Sequence, residues 1–138
     1  MLYNLQKFTQ DFIQFSPSEL FKITYVFNLK YFSKGQIVFP AGQVVRQLYF
    51  LNKGVLKIYK YEGSEPEEVK FYLNPTFLTD LQSIQSNQVS LYTLITMSEV
   101  ELYHADFNTI HSLMQQSAKH HTFFSSLFTD RYLFNVSI

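Results

Sequence analysis

The chain has 138 residues with 11 basic and 11 acidic side chains and a pI near 6.9; this suits one domain with one real core and excludes a broad basic footprint for nucleic acid. Hydrophobic residues make up 46% and charged residues 16%, so the chain should fold rather than stay disordered; aromatics, Phe and Tyr only, reach 18%, which favours β-structure and a bulky core or interface. The absence of cysteine excludes a disulfide scaffold, thiolate catalysis and cysteine-held metals.

MLYNLQKFTQDF carries polar residues every few positions and reads as no signal peptide. No apolar run approaches the ~20 residues of a membrane-spanning helix. The expectation is a cytoplasmic protein without membrane contact. Leu5, Phe8, Phe12 and Phe15 fall at helical spacing. Ser16-Pro17-Ser18-Glu19 is a helix start: Ser16 can cap, Pro17 suits the first turn and Glu19 completes a capping box. Leu20, Ile23 and Phe27 continue a helical stripe. Two short packing helices should therefore occupy residues 1–28.

From Leu29 the period shifts toward two. Lys34 to Tyr61 holds three of the only four glycines, Gly35, Gly42 and Gly54, with β-like runs Gln36–Phe39, Gln47–Leu51 and Val55–Tyr61 between them. Strands turning at short regular spacing suggest a small antiparallel barrel or jelly roll. Leu48, Phe50, Leu56 and Ile58 are expected inward, as are Val69, Phe71 and Leu73, with Lys70 and Tyr72 outward. Glu62 to Glu68 is an acidic hairpin turn. Residues 76–89 read as irregular, with one helical turn at most. Leu91–Thr96 and Glu99–His104 are two further strands, the second with Glu99, Glu101 and Tyr103 outward.

Asp106 can cap one helix and Ser117 another that runs toward the C-terminus. The apolar residues of the second, Phe123, Phe124, Leu127, Phe128, Leu133 and Phe134, spread over a wide arc. A surface helix needs only a stripe, so the surplus predicts a second contact, beyond the β-roll. No internal repeat or interdomain linker is visible.

The motif Lys34-Gly35-x6-Gly42-x5-Leu48-Tyr49-Phe50-x3-Gly54-x-Leu56-x-Ile58-Tyr59, with this element order, resembles the cyclic-nucleotide-binding domain of the Crp/Fnr transcription regulators, most closely the divergent forms of Bacteroidetes-type bacteria. The resemblance covers roughly residues 16–130. It implies a mainly β fold with flanking helices: an antiparallel β-roll or jelly roll (double-stranded β-helix) over 29–104, short helices before it, and C-terminal helices over 105–138, the last one long. It also implies a non-enzymatic regulatory sensor, a small-molecule effector of the cAMP type, and a homodimer formed through the C-terminal helix. Phe124, Leu127, Phe128 and Arg131 are the expected dimer contacts.

The family's phosphate cassette places a Gly-Glu pair after an aromatic run and an Arg-Ser/Thr-Ala about nine residues later. Here Thr79 stands for the glycine, Asp80 for the glutamate and Val89 for the arginine, while Ser90 keeps its type. No Lys or Arg occurs between Lys70 and Lys119. A buried phosphate without a cation loses about 2–5 kcal/mol of binding, which argues against ordinary cAMP recognition. The residual pocket is expected at Leu78, Thr79, Asp80, Leu81, Ser90 and Leu91, for a neutral, apolar or cationic ligand. Two alternatives stay open. Val89 and Leu91 could fill the phosphate site, leaving a structural dimerisation or protein-interaction module. Alternatively, Arg46, or Arg131 of a second copy, could supply the cation to a true cyclic-nucleotide binder. Past the terminal helix the family continues into a helix-turn-helix domain, whereas this sequence stops at Ile138; the chain alone is therefore expected to make no nucleic-acid contact.

The remaining polar residues read plainly. His120 and His121 are adjacent, point about 100° apart on a helix and cannot easily share a metal; solvent or interface positions are expected for them. No Gly-x-Ser-x-Gly elbow supports a Ser90 hydrolase. No metal or other cofactor is expected.

Overall fold

The computed structural model describes residues 2–62, 64–73 and 75–128. Helix α1 spans Tyr3–Phe12 and α2 spans Pro17–Tyr25. The predicted capping box opens α2: Ser16 Oγ accepts from the Glu19 N–H at 3.2 Å, and the Ser16 N–H donates to Glu19 Oε1 at 2.7 Å. Eight strands follow, β1 Asn28–Phe32, β2 Ile37–Phe39, β3 Gln47–Lys53, β4 Leu56–Glu62, β5 Glu65–Tyr72, β6 Thr76–Leu78, β7 Tyr92–Thr96 and β8 Val100–Asp106. A short helix α3, Leu81–Ser86, separates β6 from β7; α4 (Phe107–Gln116) and α5 (Ala118–Leu127) close the described chain. Asp106 and Ser117 cap α4 and α5 as their sequence positions predict, accepting from the N–H groups of Asn108 and His120.

The strands form two four-stranded antiparallel sheets in the orders β1-β8-β3-β6 and β2-β7-β4-β5, the jelly roll that the sequence predicts. The first sheet is buried on both faces. Tyr49, Leu51, Leu78, Val100 and Leu102 point into the roll against Leu56, Ile58 and Leu94 of the second sheet. Leu48, Phe50, Phe77, Tyr103 and Ala105 point the other way, under α1, α2, α4 and α5. There are thus two cores, not one. Tyr103 is outward from the roll, as expected, yet only 3% exposed because the helices cover it.

At the corner between β3 and β4, Gly54 has φ +111°. A Cβ there would collide with the Glu99 carbonyl oxygen and the Val100 side chain, so this turn requires glycine on steric as well as conformational grounds. From Phe71 to Leu73 the alternation is opposite to expectation, while Lys70 is exposed as expected and the Val69 side chain lies outside the described residues. Tyr72 is inward at 6% exposure, while Phe71 and Leu73 are 46% and 65% exposed. Tyr72 pairs with Leu56, which faces the interior, so its side chain must as well. Between Ile58 and Tyr59 the pairing jumps from Lys70 to Glu68, a bulge that reverses the parity beyond it. The reading of residues 76–89 as irregular with one helical turn also needs correction: it gives the turn at α3, which is six residues long, but not strand β6.

Candidate functional site: a rebuilt cassette

Strand β6 delivers the chain to Thr79 and Asp80, both buried. Thr79 donates its hydroxyl to the Gln47 carbonyl at 2.7 Å, tying the cassette to β3. Asp80 is the N-cap of α3: Oδ1 accepts from the Ser83 N–H at 3.1 Å. Its other oxygen, Oδ2, accepts from the Ser90 hydroxyl at 2.5 Å. Ser90 Oγ in turn accepts from the Tyr92 N–H at 3.1 Å. The carboxylate, 1% exposed, and the hydroxyl, 2% exposed, therefore satisfy each other and nearby backbone.

Helix α3 ends at Asn87, whose φ of +58° is the left-handed C-cap. The following segment is stitched to the loop after β2. Gly42 N–H donates to the Ser90 carbonyl at 2.7 Å, Ser90 N–H donates to the Gln43 carbonyl at 2.8 Å, and Val44 bridges to Val89. Gly42, at φ +90°, turns its N–H toward the cassette. Ser83 Oγ adds a cross-link, accepting from the Val45 N–H at 2.8 Å and donating to the Gln88 carbonyl at 2.6 Å.

In front of this wall lies a cleft of about 380 Å³ lined by Asp80, Gln82, Ser83, Gln88, Val89 and Leu91. Of the expected pocket residues, Asp80, Val89 and Leu91 reach it. Leu78 lies inside the roll, Leu81 packs in the helix-side core, and Thr79 and Ser90 sit buried behind the wall. Val89 and Leu91 are 54% and 69% exposed, so they form an open rim and do not plug the site. Gln82, Ser83 and Gln88 were missed. Asp80 as an N-cap and Asn87 as a C-cap bracket a six-residue helix and are the signal that could have found them.

No lysine, arginine or histidine lines the cleft among the described residues. Arg46 lines a different recess, with Val45, Ile84, Asn87 and Asp106.

The expected dimer residues need correction. Phe124 and Leu127 are fully buried within the chain's own helix-side core, and Phe128 packs on that core, edge-on to Phe107 with centroids 5.6 Å apart. As far as Phe128 the apolar arc of α5 is therefore taken up inside one chain; Leu133 and Phe134 lie outside the described residues. Arg131 lies outside the described residues. His120 is also not at the surface. It is 1% exposed, its Nε2–H donates to the Glu19 carbonyl at 3.0 Å, and its Nδ1 accepts from Ser117 Oγ at 2.7 Å. Its ring stacks on Phe15 with centroids 5.5 Å apart.

The sequence profile described as "Cyclic nucleotide-binding domain" matches residues 29–117, more than half of the chain. This chain belongs to the cyclic nucleotide-binding domain family. The match takes in the whole cassette and all eight strands but the first residue of β1. No curated protein is similar enough in sequence to register as a relative. Solved structures share the fold of this cyclic nucleotide-binding domain at low identity. The catabolite activator protein of Thermus thermophilus superposes with a TM-score of 0.74 at 14% identity, over 87% of this chain and 56% of its own. The sensor domain of the transcriptional regulator DNR from Pseudomonas aeruginosa gives 0.71 at 16% identity, over 95% and 91%. The regulatory domain of Toxoplasma gondii PKA, solved with cAMP, gives 0.70 at 15% identity, over 91% and 48%. The chain thus spans little more than half the length of the Thermus protein and about half of the Toxoplasma chain.

Proposed function

We propose that this chain is a non-catalytic sensor module whose cassette takes a neutral small molecule in place of a cyclic nucleotide. The observation that carries this reading is the closed Asp80–Ser90 pair beside a cleft that no cation lines among the described residues. A cyclic phosphate would meet a buried carboxylate 1% exposed and, among the described lining residues, no compensating positive group, a repulsive arrangement in a medium of low dielectric. The exposed amides of Gln82 and Gln88 and the apolar rim of Val89 and Leu91 suit an uncharged ligand with hydrogen-bonding groups at one edge.

The path from cleft to output runs through Phe77. It lies three residues before Asp80, edge-on to Phe50 at 4.9 Å and to Phe123 of α5 at 6.0 Å between centroids. A ligand that shifts α3 biases how α5 packs, which is how occupancy would reach a following domain or a second copy. A homodimer remains part of the proposal, resting on Phe128 and Arg131 now that Phe124 and Leu127 are assigned to the core. The expected setting is the cytoplasm.

The test is thermal unfolding with cAMP and cGMP, beside an NMR screen of uncharged nucleosides and amides. No nucleotide-dependent shift up to millimolar concentration, with neutral compounds perturbing Gln82, Gln88 and Leu91, is the expected result. A shift approaching the ~2.7 kcal/mol of a ligand at a hundred times its Kd would return the site to ordinary cyclic-nucleotide recognition. Light scattering on Phe128→Glu reads the dimer; a dimer that persists removes that residue from the interface.

A further inference from the structure

A second cavity, of about 250 Å³, opens where β1 and β2 leave the mouth of the roll, lined by Lys30, Phe32, Gln47, Tyr49 and His104 among others. It shares no lining residue with the cassette cleft. Register explains its polarity. His104 pairs with Asn28 on one side and with Tyr49 on the other, and Tyr49 pairs with Leu78. One row across the sheet thus grades from polar on the edge strand β1 to apolar on the opposite edge strand β6.

The protonation of His104 follows from its neighbours. Asp106 accepts from the Asn108 N–H at 2.9 Å through Oδ2 and from Gln47 Nε2 at 3.4 Å through Oδ1. A carboxylate only accepts, so the Gln47 amide nitrogen faces Asp106 and its oxygen faces His104 Nδ1, 3.2 Å away. That oxygen also only accepts, so Nδ1 carries the proton. Nε2 is left with a bare lone pair and no protein partner among the described residues. Burial, and then the charge of Lys30, hold His104 below its usual 6.5, so the ring is neutral at physiological pH. Lys30 has a cation–π contact with Phe32 at 5.0 Å and no carboxylate partner among the described residues. Burial pushes the Tyr49 phenol up to about 12, so it adds no negative charge.

We propose that this cavity is a second ligand site, for a small planar organic acid bearing an N–H or O–H donor. The acid group pairs with Lys30, the donor meets His104 Nε2, and the ring lies between Phe32 and Leu102. An apolar cavity of ~150 Å³ holds a benzene ring, so this one has room for a ring with an acid substituent.

Pyrrole-2-carboxylate is a suitable probe, with N-methylpyrrole-2-carboxylate lacking the donor and pyrrole lacking the acid. Titration followed by NMR of the His104 ring and by calorimetry is expected to show binding of the first compound, at least about tenfold weaker binding of pyrrole, the scale of one charge-assisted hydrogen bond, and about two- to tenfold weaker binding of the N-methyl compound, the scale of a neutral one. Lys30→Gln, at an exposed position, and His104→Gln should each cost a similar factor without unfolding the chain. Binding insensitive to both substitutions, equal affinity for the three compounds, or shifts confined to Val89 and Leu91 would each overturn the assignment. So would an unperturbed His104 at millimolar probe. A failure here leaves the cassette reading untouched, because the two cavities report through different residues.

Discussion

The Ser90 hydroxyl donates to Asp80 Oδ2 at 2.5 Å, and neither residue is more than 2% exposed. This contact closes the loop after α3 onto the helix start, and it occupies the carboxylate oxygen left over by the α3 cap. Ser90→Ala removes the donor and strands a buried carboxylate oxygen. The expected loss is about 1–3 kcal/mol, the cost of leaving a buried acceptor unpaired, read as a lower urea midpoint. Asp80→Asn retains a capping oxygen and should cost less than Asp80→Ala, which loses cap and cross-link together. Strictly additive losses in the Asp80→Ala/Ser90→Ala cycle would mean the pair does not act as a unit.

If the altered cassette is what excludes a cyclic phosphate, restoring it should admit one. Val89→Arg alone puts a cation on an exposed rim position and should change stability by no more than about 0.5 kcal/mol. It should confer little cAMP response, since Asp80 remains tied to Ser90. Thr79→Gly and Asp80→Glu together with Val89→Arg are expected to produce cAMP-dependent stabilisation, about 2.7 kcal/mol at a hundredfold excess over Kd. A folded triple variant that ignores cAMP would show that other walls of the cleft exclude the nucleotide.

Much of this was legible in sequence because it is local. The capping box at Ser16 and Glu19, the caps at Asp106 and Ser117, and the positive-φ glycines depend on residues within a few positions of each other. What failed depends on partners far away in the chain. Tyr72 turns inward because of its register with Leu56. Phe124 and Leu127 are buried because α1, α2 and α4 surround them, so this part of the apolar arc is core and not a second interface. Among the cassette residues, the substitutions at Thr79, Asp80 and Val89 could be read directly, but whether Val89 and Leu91 fill or rim the cleft required the bridge between Val44 and Val89.

His120 is a second such case, and it ranks two contacts between α2 and α5. The Lys119–Glu19 ion pair, 3.2 Å long and with both side chains partly exposed, is of the kind worth about 0–1 kcal/mol. The buried His120 ring bridges Ser117 and the Glu19 carbonyl. His120→Leu, which strands both, should cost about 1–3 kcal/mol, while Lys119→Ala should cost under about 1 kcal/mol. Chemical denaturation of the two variants checks the order, and a larger loss for Lys119→Ala would reverse this account of the clasp.

His104 gives the pH dependence its sign. Burial and Lys30 lower its folded value below 6.5, while the unfolded chain titrates near 6.5. Between the two values the unfolded state holds more protons, so stability rises with pH across that window. The contribution is complete above 6.5 and is lost as pH falls through the folded value. The lowered Glu19 carboxyl, held down first by the Ser16 N–H and then by Lys119, acts in a separate window below 4.5. An NMR titration of the His104 ring should therefore give a midpoint below 6.5. Lys30→Gln, which removes one of the two causes, should raise that midpoint and flatten the loss of stability just below 6.5. A wild-type midpoint at or above 6.5 would mean that burial and Lys30 do not disfavour the charged ring in the folded chain, and only a midpoint above physiological pH would withdraw the bare Nε2 acceptor from the cavity at the mouth of the roll.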